Sequence, residues 1–440
     1  MKCLIIAAGK GSRLRQKGHP KPLVPILGVP LLERVIRSAL EAGCDDFYIV
    51  TGYEGERVRG FLDDLARRCP IKNLTHITNN AWEEGNGLSV LKAEEYLKDD
   101  FVLLMADHLF DAEILKNLKQ QPFGEGEVTL AVDPNVNNPL TDFYDATKIQ
   151  LQDGKIVNIG KNIEPYHAFD TGIFLSSPAI FQGIQESISQ YRDSSLAGGV
   201  RCLAVKGKVN AFINENNFWI DVDDPKALDN AENYLLDQLK GKPTDGPVAR
   251  YLNRPLSRRL SKYLVKTAIT PNQISLLSFL ASFLAACLFM LGGYISLALG
   301  GLVAQAASIL DGCDGEVSRL KFRETPFGGW FDAVLDRYAD ALLLFGLTWH
   351  SYAGNGREAA LFAGFFAIIG SFMLSYTADK YDNLMRERIT LRGLRLGRDI
   401  RVFIIFLGAL LNLPLLTLVV IAVIMNVETV RRVLVCRRHG

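Results

Sequence analysis

The feature that most constrains this chain is a group of acids set between long apolar runs. Residues 311–340 read DGCDGEVSRLKFRETPFGGWFDAVLDRYAD, with apolar segments extending on both sides. On helices, Asp311 with Asp314 (i, i+3) and Asp332 with Asp336 (i, i+4) each project from one face. The apolar flanks place these carboxylates at or just inside a membrane, where ionised groups are costly and mark function. Oxygen ligands on two facing helices suit Mg²⁺ or Mn²⁺. Two such ions can clamp the oxygens of an in-line phosphoryl displacement. The competing reading of the same acids is a buried ion-pair cluster or a cation pathway.

Charge is unevenly distributed along the 440 residues. Lys and Arg number 49 against 48 Asp and Glu, so net charge gives no argument for nucleic-acid binding. Charges crowd the first half and apolar runs the C-terminal part, which predicts a soluble domain followed by a membrane domain. The seven cysteines show no CxxC spacing, against a zinc site or a disulfide framework and in favour of a reducing compartment. The apolar run after Lys2 is short and ends at Gly9, so no signal peptide is expected.

The first half alternates short apolar runs with helical stretches: LIIAAGKGSRL, DDFYIVTGY, LTHITNN and DFVLLMADHLF. That pattern predicts an α/β domain with a largely parallel sheet. Gly9 and Gly11 allow a tight turn that points amide groups at phosphates, and Arg13 and Lys21 add positive charge for a triphosphate. A dinucleotide-binding turn is the weaker reading, because Leu14 stands where the third glycine of GxGxxG belongs. Asp107 follows the strand FVLLMA, at the strand end where such sheets bind ligands; taken alone it reads as a turn or helix cap.

Residues 239–250, LKGKPTDGPVAR, are rich in Pro, Gly and polar residues and mark a joint. The expected division is a first domain over 1–238, a linker with a basic helix over 239–269, and a membrane domain over 270–440. RYLNRPLSRRLSKYLVK alternates basic residues with Tyr and Leu and predicts a helix lying on the membrane surface. Six spans are expected, near 274–291, 295–311, 330–349, 359–376, 402–413 and 415–430. Residues 248–266 hold six basic residues and no acid, 319–323 hold three, 380–401 seven and 431–438 four. The alternate connections are nearly free of charge. This asymmetry places both termini and both active sites on the cytoplasmic side of a cell membrane. Lys380 and the arginines from 386 to 398, Arg398 among them, lie on that side. They either bind a phosphate on an acceptor or serve orientation alone.

Two resemblances carry these readings further. The spacing Asp311, Asp314-Gly315, Ser318-Arg319, Gly328, Asp332, Asp336 resembles the signature of the CDP-alcohol phosphotransferase family, with Ser318 standing where that family has alanine. The resemblance implies that Asp311, Asp314 and Asp332 hold metals, and that Asp336, beside them, is the general base for the acceptor hydroxyl. It further implies that Gly315, Arg319 and Gly328 meet the nucleotide and that Asn272, in TPN at 270–272, contacts cytidine. The motifs LIIAAGKGSRL, Lys21-Pro22-Leu23, Asp107, DTGIFL at 170–175 and WIDVDDP at 219–225 resemble the sugar-phosphate and alcohol-phosphate nucleotidyltransferases. That likeness implies a Rossmann-like fold, with Gly9, Gly11, Arg13 and Lys21 on the triphosphate. Mg²⁺ would sit on Asp107 with Asp221 or Asp223. Gly85, Asn86 and Ser89 would meet base or ribose, and Lys161 the substrate phosphate.

The pair of domains, with RYLNRPLSRRLS at the joint, resembles the bifunctional CTP:inositol-1-phosphate cytidylyltransferase and CDP-inositol:inositol-1-phosphate transferase family, which makes a compatible solute. What it implies is an α/β nucleotidyltransferase domain followed by an all-α six-helix transmembrane domain. The implied partners are CTP, inositol 1-phosphate, CDP-inositol and membrane lipid, with Mg²⁺ or Mn²⁺ in both domains and a homodimeric assembly. Two other readings remain at this level. One is a CDP-alcohol enzyme with a lipid acceptor, and the other an ion transporter with a nucleotide-sensing domain.

Overall fold

The computed structural model describes residues 1–14, 20–239, 246–355, 358–378, 380–381 and 397–439. The chain divides into two compact units, Met1–Tyr234 and Leu235–Gly440.

Among the described residues the first unit is built on the strands β1 Lys2–Ala7, β2 Pro25–Ile26, β3 Val29–Pro30, β4 Asp46–Thr51, β5 Asn73–Thr78, β6 Phe101–Met105, β7 His108–Phe110, β8 Val128–Asp133, β9 Lys148–Gln152, β10 Lys155–Gly160, β11 Ala168–Ser176, β12 Val209–Ile213 and β13 Trp219–Asp221. Its helices are α1 Leu31–Glu41, α2 Gly55–Ala66, α3 Asn86–Leu91, α4 Ala112–Leu118, α5 Ala179–Tyr191, α6 Leu196–Val205 and α7 Pro225–Asp237, the last continuing into the second unit. Nine strands form one sheet in the order β5-β4-β1-β6-β11-β8-β12-β10-β9. The expectation of a largely parallel sheet is corrected. Strands β5, β4, β1 and β6 are parallel, but β11 runs antiparallel to both β6 and β8, and β10 is antiparallel to both β12 and β9. The apolar runs that suggested parallel strands report burial on both faces, which is blind to direction. Two cores cover those faces, one around Phe47, Leu62 and Leu115 and the other around Phe101, Phe174 and Phe181.

The second unit is helical: α8 Arg254–Leu264, α9 Pro271–Met290, α10 Tyr294–Leu320, α11 Pro326–Asn355, α12 Glu358–Tyr376, α13 Arg398–Leu410 and α14 Pro414–His439. A helix stands at each of the six expected spans. Helices α10 and α11 run well beyond the expected limits, because polar turns extend them to 27 and 30 residues. Among the described residues, α9, α10 and α12 are long and apolar enough to cross a membrane. Outward-facing Leu276, Leu280, Phe283 and Leu284 give α9 an apolar exterior. Its start is fixed by a capping box in which Thr270 and Gln273 satisfy each other's backbone groups. Small residues then let the helices approach closely. A Cβ on Gly346 would stand 2.7 Å from the Ala286 carbonyl oxygen, and one on Gly301 equally near the Ala409 methyl.

Helix α8 is amphipathic, with its small polar residues turned inward. Asn253, just before it, and Ser257 and Ser261 are buried, whereas Leu256, Leu260 and Tyr263 are exposed. The i, i+4, i+8 polar stripe faces α10, where Ser257 and Ser261 donate to Glu316 and Asn253 donates to Ser308. Glu316 is fully buried and also meets the Arg254 guanidinium at 3.3 Å.

Candidate active sites

In the first unit, sheet geometry gathers the acids. The ribbon β7–β13 pairs Asp221 with His108 directly, and the Val222 amide donates to the Asp107 carbonyl at 3.0 Å. Asp107, at the end of β6, thereby faces the WIDVDDP segment from more than a hundred residues later. Lys21 is buried beneath them. Its ammonium lies 2.6 Å from Asp107, in contact with Asp223 and 3.9 Å from Asp221. Burial would lower the Lys21 ammonium, but Asp107, Asp221 and Asp223 outweigh it and hold it well above its usual value. For Asp107, burial works against ionisation, yet Lys21 and then His108 bring its carboxyl down to about 2. Asp223 moves upward instead, through burial and the neighbouring Asp221. Gly11 has φ +62°, and a Cβ there would overlap the Lys21 side chain, so only glycine allows this loop to close over the lysine. Gly9 meets open space.

Asp107, His108, Asp221 and Asp223 line a cleft of about 520 Å³ together with Arg13, Asn86, Asp145, Lys161 and Asp170. Arg13 lies 2.7 Å from Asp145 and 3.8 Å from Asp223, and Lys161 also contacts Asp145. The Lys161 bond, followed by Arg13, holds the Asp145 carboxyl below its usual range against the effect of burial. Gly85 precedes α3 and packs on Ser194, where a Cβ would overlap the backbone, while Asn86 Oδ1 accepts from the Leu196 amide at 2.9 Å. Ser89 is turned inward and accepts from Asn79 at 2.9 Å. Sequence reasoning passed over His108 and Asp145. The first is adjacent to Asp107 and could have been found; the second is joined to Arg13 only by the fold.

Ligand atoms of Asp107, His108 and Asp221 all lie within 4.8 Å of one another. Asp221 Oδ1 is buried with no hydrogen-bond partner. A cluster of this kind fits a divalent cation, since an added charge would satisfy the orphaned oxygen.

In the second unit, Asp311 and Asp314 lie on α10 and Asp332 and Asp336 on α11. Asp311, Asp332 and Asp336 likewise offer oxygens within 4.8 Å of one another and fit a hard cation. Asp314 receives a hydrogen bond from Ser275 at 2.5 Å, and Asp311 one from Ser278 at 3.3 Å. These α9 serines orient the acids. Arg398 Nη1, at the start of α13, lies 2.8 Å from both Asp311 and Asp336. Its Nε meets Asp340 at 3.2 Å, and Asp340 in turn contacts Arg401 at 2.8 Å. Asp340 extends the Asp332, Asp336 series by one more turn, a periodicity visible in the sequence. Asn272 and Gly328 come together: a Cβ on Gly328 would stand 3.3 Å from Asn272 Oδ1. Gly315 follows Asp314, and a Cβ on it would lie 3.5 Å from Arg319 Nη1. Lys380 is exposed and rests on the Tyr376 ring, 4.5 Å from its centroid. Arg386, Arg388, Arg392 and Arg395 lie outside the described residues.

Fold and clusters together define a transferase made of a nucleotidyl-transfer unit and a membrane-associated helical unit. The MobA-like NTP transferase domain family matches residues 3–151, and the CDP-alcohol phosphatidyltransferase family matches residues 268–435. A "Bifunctional IPC transferase and DIPP synthase" of Rubrobacter xylanophilus is 37% identical over 99% of this chain and 96% of its own length. Its namesake from Aquifex aeolicus is 33% identical over 99% and 98%. Among solved structures, an inositol-1-phosphate CTP transferase from T. maritima aligns with TM-score 0.48 and 27% identity, covering 55% of this chain and 96% of that chain. The chain belongs to the family of bifunctional IPC transferases and DIPP synthases.

Proposed function

We propose that the first unit joins CTP to inositol 1-phosphate, giving CDP-inositol and pyrophosphate. The second unit then transfers the phosphoinositol group to a second inositol 1-phosphate and releases CMP, forming di-myo-inositol phosphate phosphate. The observation that carries this reading is that each unit gathers its own carboxylate cluster beside a cation, Lys21 in one and Arg398 in the other.

In the first step a phosphate oxygen of inositol 1-phosphate attacks the α-phosphorus of CTP. The Gly9–Gly11 loop, Arg13 and Lys21 hold the triphosphate and take up the charge that develops on departing pyrophosphate. Lys161 holds the attacking phosphate, and Gly85 with Asn86 bounds the nucleoside. In the second step Asp336 removes the proton of the acceptor hydroxyl, which attacks the phosphorus next to inositol. Asn272, Gly315, Arg319 and Gly328 hold the cytidine diphosphate part, while Arg398 and Lys380 meet the acceptor's phosphate. Asp107 with Asp221, and Asp311, Asp314, Asp332 and Asp336, would hold Mg²⁺ or Mn²⁺, which when bound would supply positive charge to phosphoryl oxygens. Asp221 is preferred over Asp223 because its carboxylate stands with Asp107 and His108 within reach of one ion.

In this reading the catalytic domain ends near residue 238, and 239–269 join it to the membrane domain. Helices α9–α14 cross the bilayer six times, and the basic connections hold both sites on the cytoplasmic face. The family likeness extends to a homodimer in lipid, which mass measurement in detergent tests.

The deciding experiment incubates detergent-solubilised protein with CTP, Mg²⁺ and labelled inositol 1-phosphate, and compares wild type with Asp336→Asn. The expected result is a doubly phosphorylated di-inositol from wild type and arrest at CDP-inositol in the variant. Accumulation of CDP-inositol in both would transfer the second step to a lipid acceptor. No CDP-inositol in either would overturn the choice of alcohol.

A further inference from the structure

His108 is the residue of the first site that the two-carboxylate reading leaves without work. Its placement is built in. Gly172, with φ +72°, leaves room for the imidazole, which any Cβ would overlap. The Thr171 carbonyl accepts from Nδ1 at 2.6 Å, which fixes the ring's orientation and assigns the proton on that nitrogen. Nε2 is left facing the two acids, 3.6 Å from Asp221 Oδ2 and 3.8 Å from Asp107 Oδ1.

Those separations are too long for hydrogen bonds. They are close to the spacing of atoms that share one ion: with bonds of about 2.1 Å, neighbouring ligand atoms lie roughly 3–3.6 Å apart. Asp221 Oδ1, which accepts no hydrogen bond, keeps a lone pair available beside them.

We propose that His108 Nε2 is a direct ligand of the divalent cation held by Asp107 and Asp221, and that this nitrogen makes the first site prefer Mn²⁺ over Mg²⁺. The inference rests on the reading of Asp107 and Asp221 as metal ligands. The selectivity follows from ligand chemistry: imidazole nitrogen is a good donor to transition-metal ions and a poor one to Mg²⁺, which is satisfied by oxygen and water. The cluster of the second unit is all carboxylate, so a histidine nitrogen distinguishes the two sites.

The test uses the full chain in detergent, stripped with a chelator and reloaded with Mn²⁺, and reads pulsed electron paramagnetic resonance. The expected result is a ¹⁴N modulation on bound Mn²⁺ that changes to a ¹⁵N pattern when the protein is grown on ¹⁵N-histidine. His108→Gln should remove the modulation and weaken Mn²⁺ binding at this site at least about tenfold, with Mg²⁺ binding little changed. If Asp221→Asn removes one Mn²⁺ per chain but wild type shows no histidine-dependent modulation, the His108 inference falls and the carboxylate site stands. If Asp221→Asn leaves the Mn²⁺ stoichiometry unchanged, the metal reading of the first site falls and takes His108 with it.

Discussion

Ser257 donates to Glu316 at 2.6 Å, with both side chains fully buried. Glu316 lies two residues beyond Asp314 on α10, so this bond and its partner from Ser261 tie the basic helix α8 to the helix that carries the acids. Removing a hydroxyl from a buried acceptor of this kind costs about 1–3 kcal/mol. Removing the carboxylate takes from two buried hydroxyls and from the Arg254 guanidinium the acceptor they share, and costs about 3–5 kcal/mol. Thermal unfolding in detergent should therefore rank wild type above Ser257→Ala and Ser257→Ala above Glu316→Ala. Equal midpoints would show that the network carries no stability.

The contact between Asn272 and Gly328 predicts a shared role in nucleotide binding. Gly328→Ala places a methyl 3.3 Å from Asn272 Oδ1 and should raise KM for CDP-inositol about tenfold, about 1.4 kcal/mol. Asn272→Ala should have a similar effect, and the double variant should be no worse than the more impaired single one, because neighbours that act together are not additive. Additive losses in CMP release assays would separate the two positions.

Gly11→Ala is expected to damage the first site through both backbone and packing. The left-handed φ costs about 1–2 kcal/mol for a residue with a Cβ, and that atom would displace Lys21. Pyrophosphate release should fall at least about tenfold. Gly9→Ala, whose Cβ meets open space, should leave the unfolding midpoint near wild type.

Asp170 gives a pH signature. Burial raises its carboxyl to about 6, against the hydrogen bond it accepts from the Gly172 amide. The folded state therefore keeps this proton at pH values where the unfolded chain has lost it. Stability is full below about pH 4, falls as pH rises to about 6, and is flat beyond, a loss of about 3 kcal/mol from this group. Urea unfolding in the presence of chelator, followed by tryptophan fluorescence, should show the slope in wild type and not in Asp170→Asn. A slope of the same size in the variant would assign it elsewhere.

Much of this was legible in the chain. The spacing of Asp311, Asp314, Asp332 and Asp336 brings three of the four within reach of one ion because helices impose their period on any side chain. The strand ends at Ala7 and Met105 likewise announced the loops at Gly9 and Asp107. Strand direction was not legible, since β11 carries the same apolar run whether it lies parallel or antiparallel to β6. The pairing of Asp221 with His108 also escaped, because it depends on the register of two short strands far apart in sequence. Ser275 and Ser278 are small residues in an apolar run, with nothing in the sequence to single them out, and only packing on α10 turns them toward the acids. The inward stripe of Ser257 and Ser261 on α8 was not legible either, since a count of leucines and arginines does not say which side another helix will cover.

Each unit is drawn from one unbroken length of chain. Every strand of the large sheet, and the β7–β13 ribbon that assembles the first cluster, has been made before Pro271, where the first apolar helix begins. During synthesis the first unit can thus fold as an independent body, as N-terminal domains do, while the membrane helices have yet to be translated. A lesion that blocks membrane insertion of the second unit should leave a folded first domain behind, whereas the reverse dependence is not built into the order of the chain.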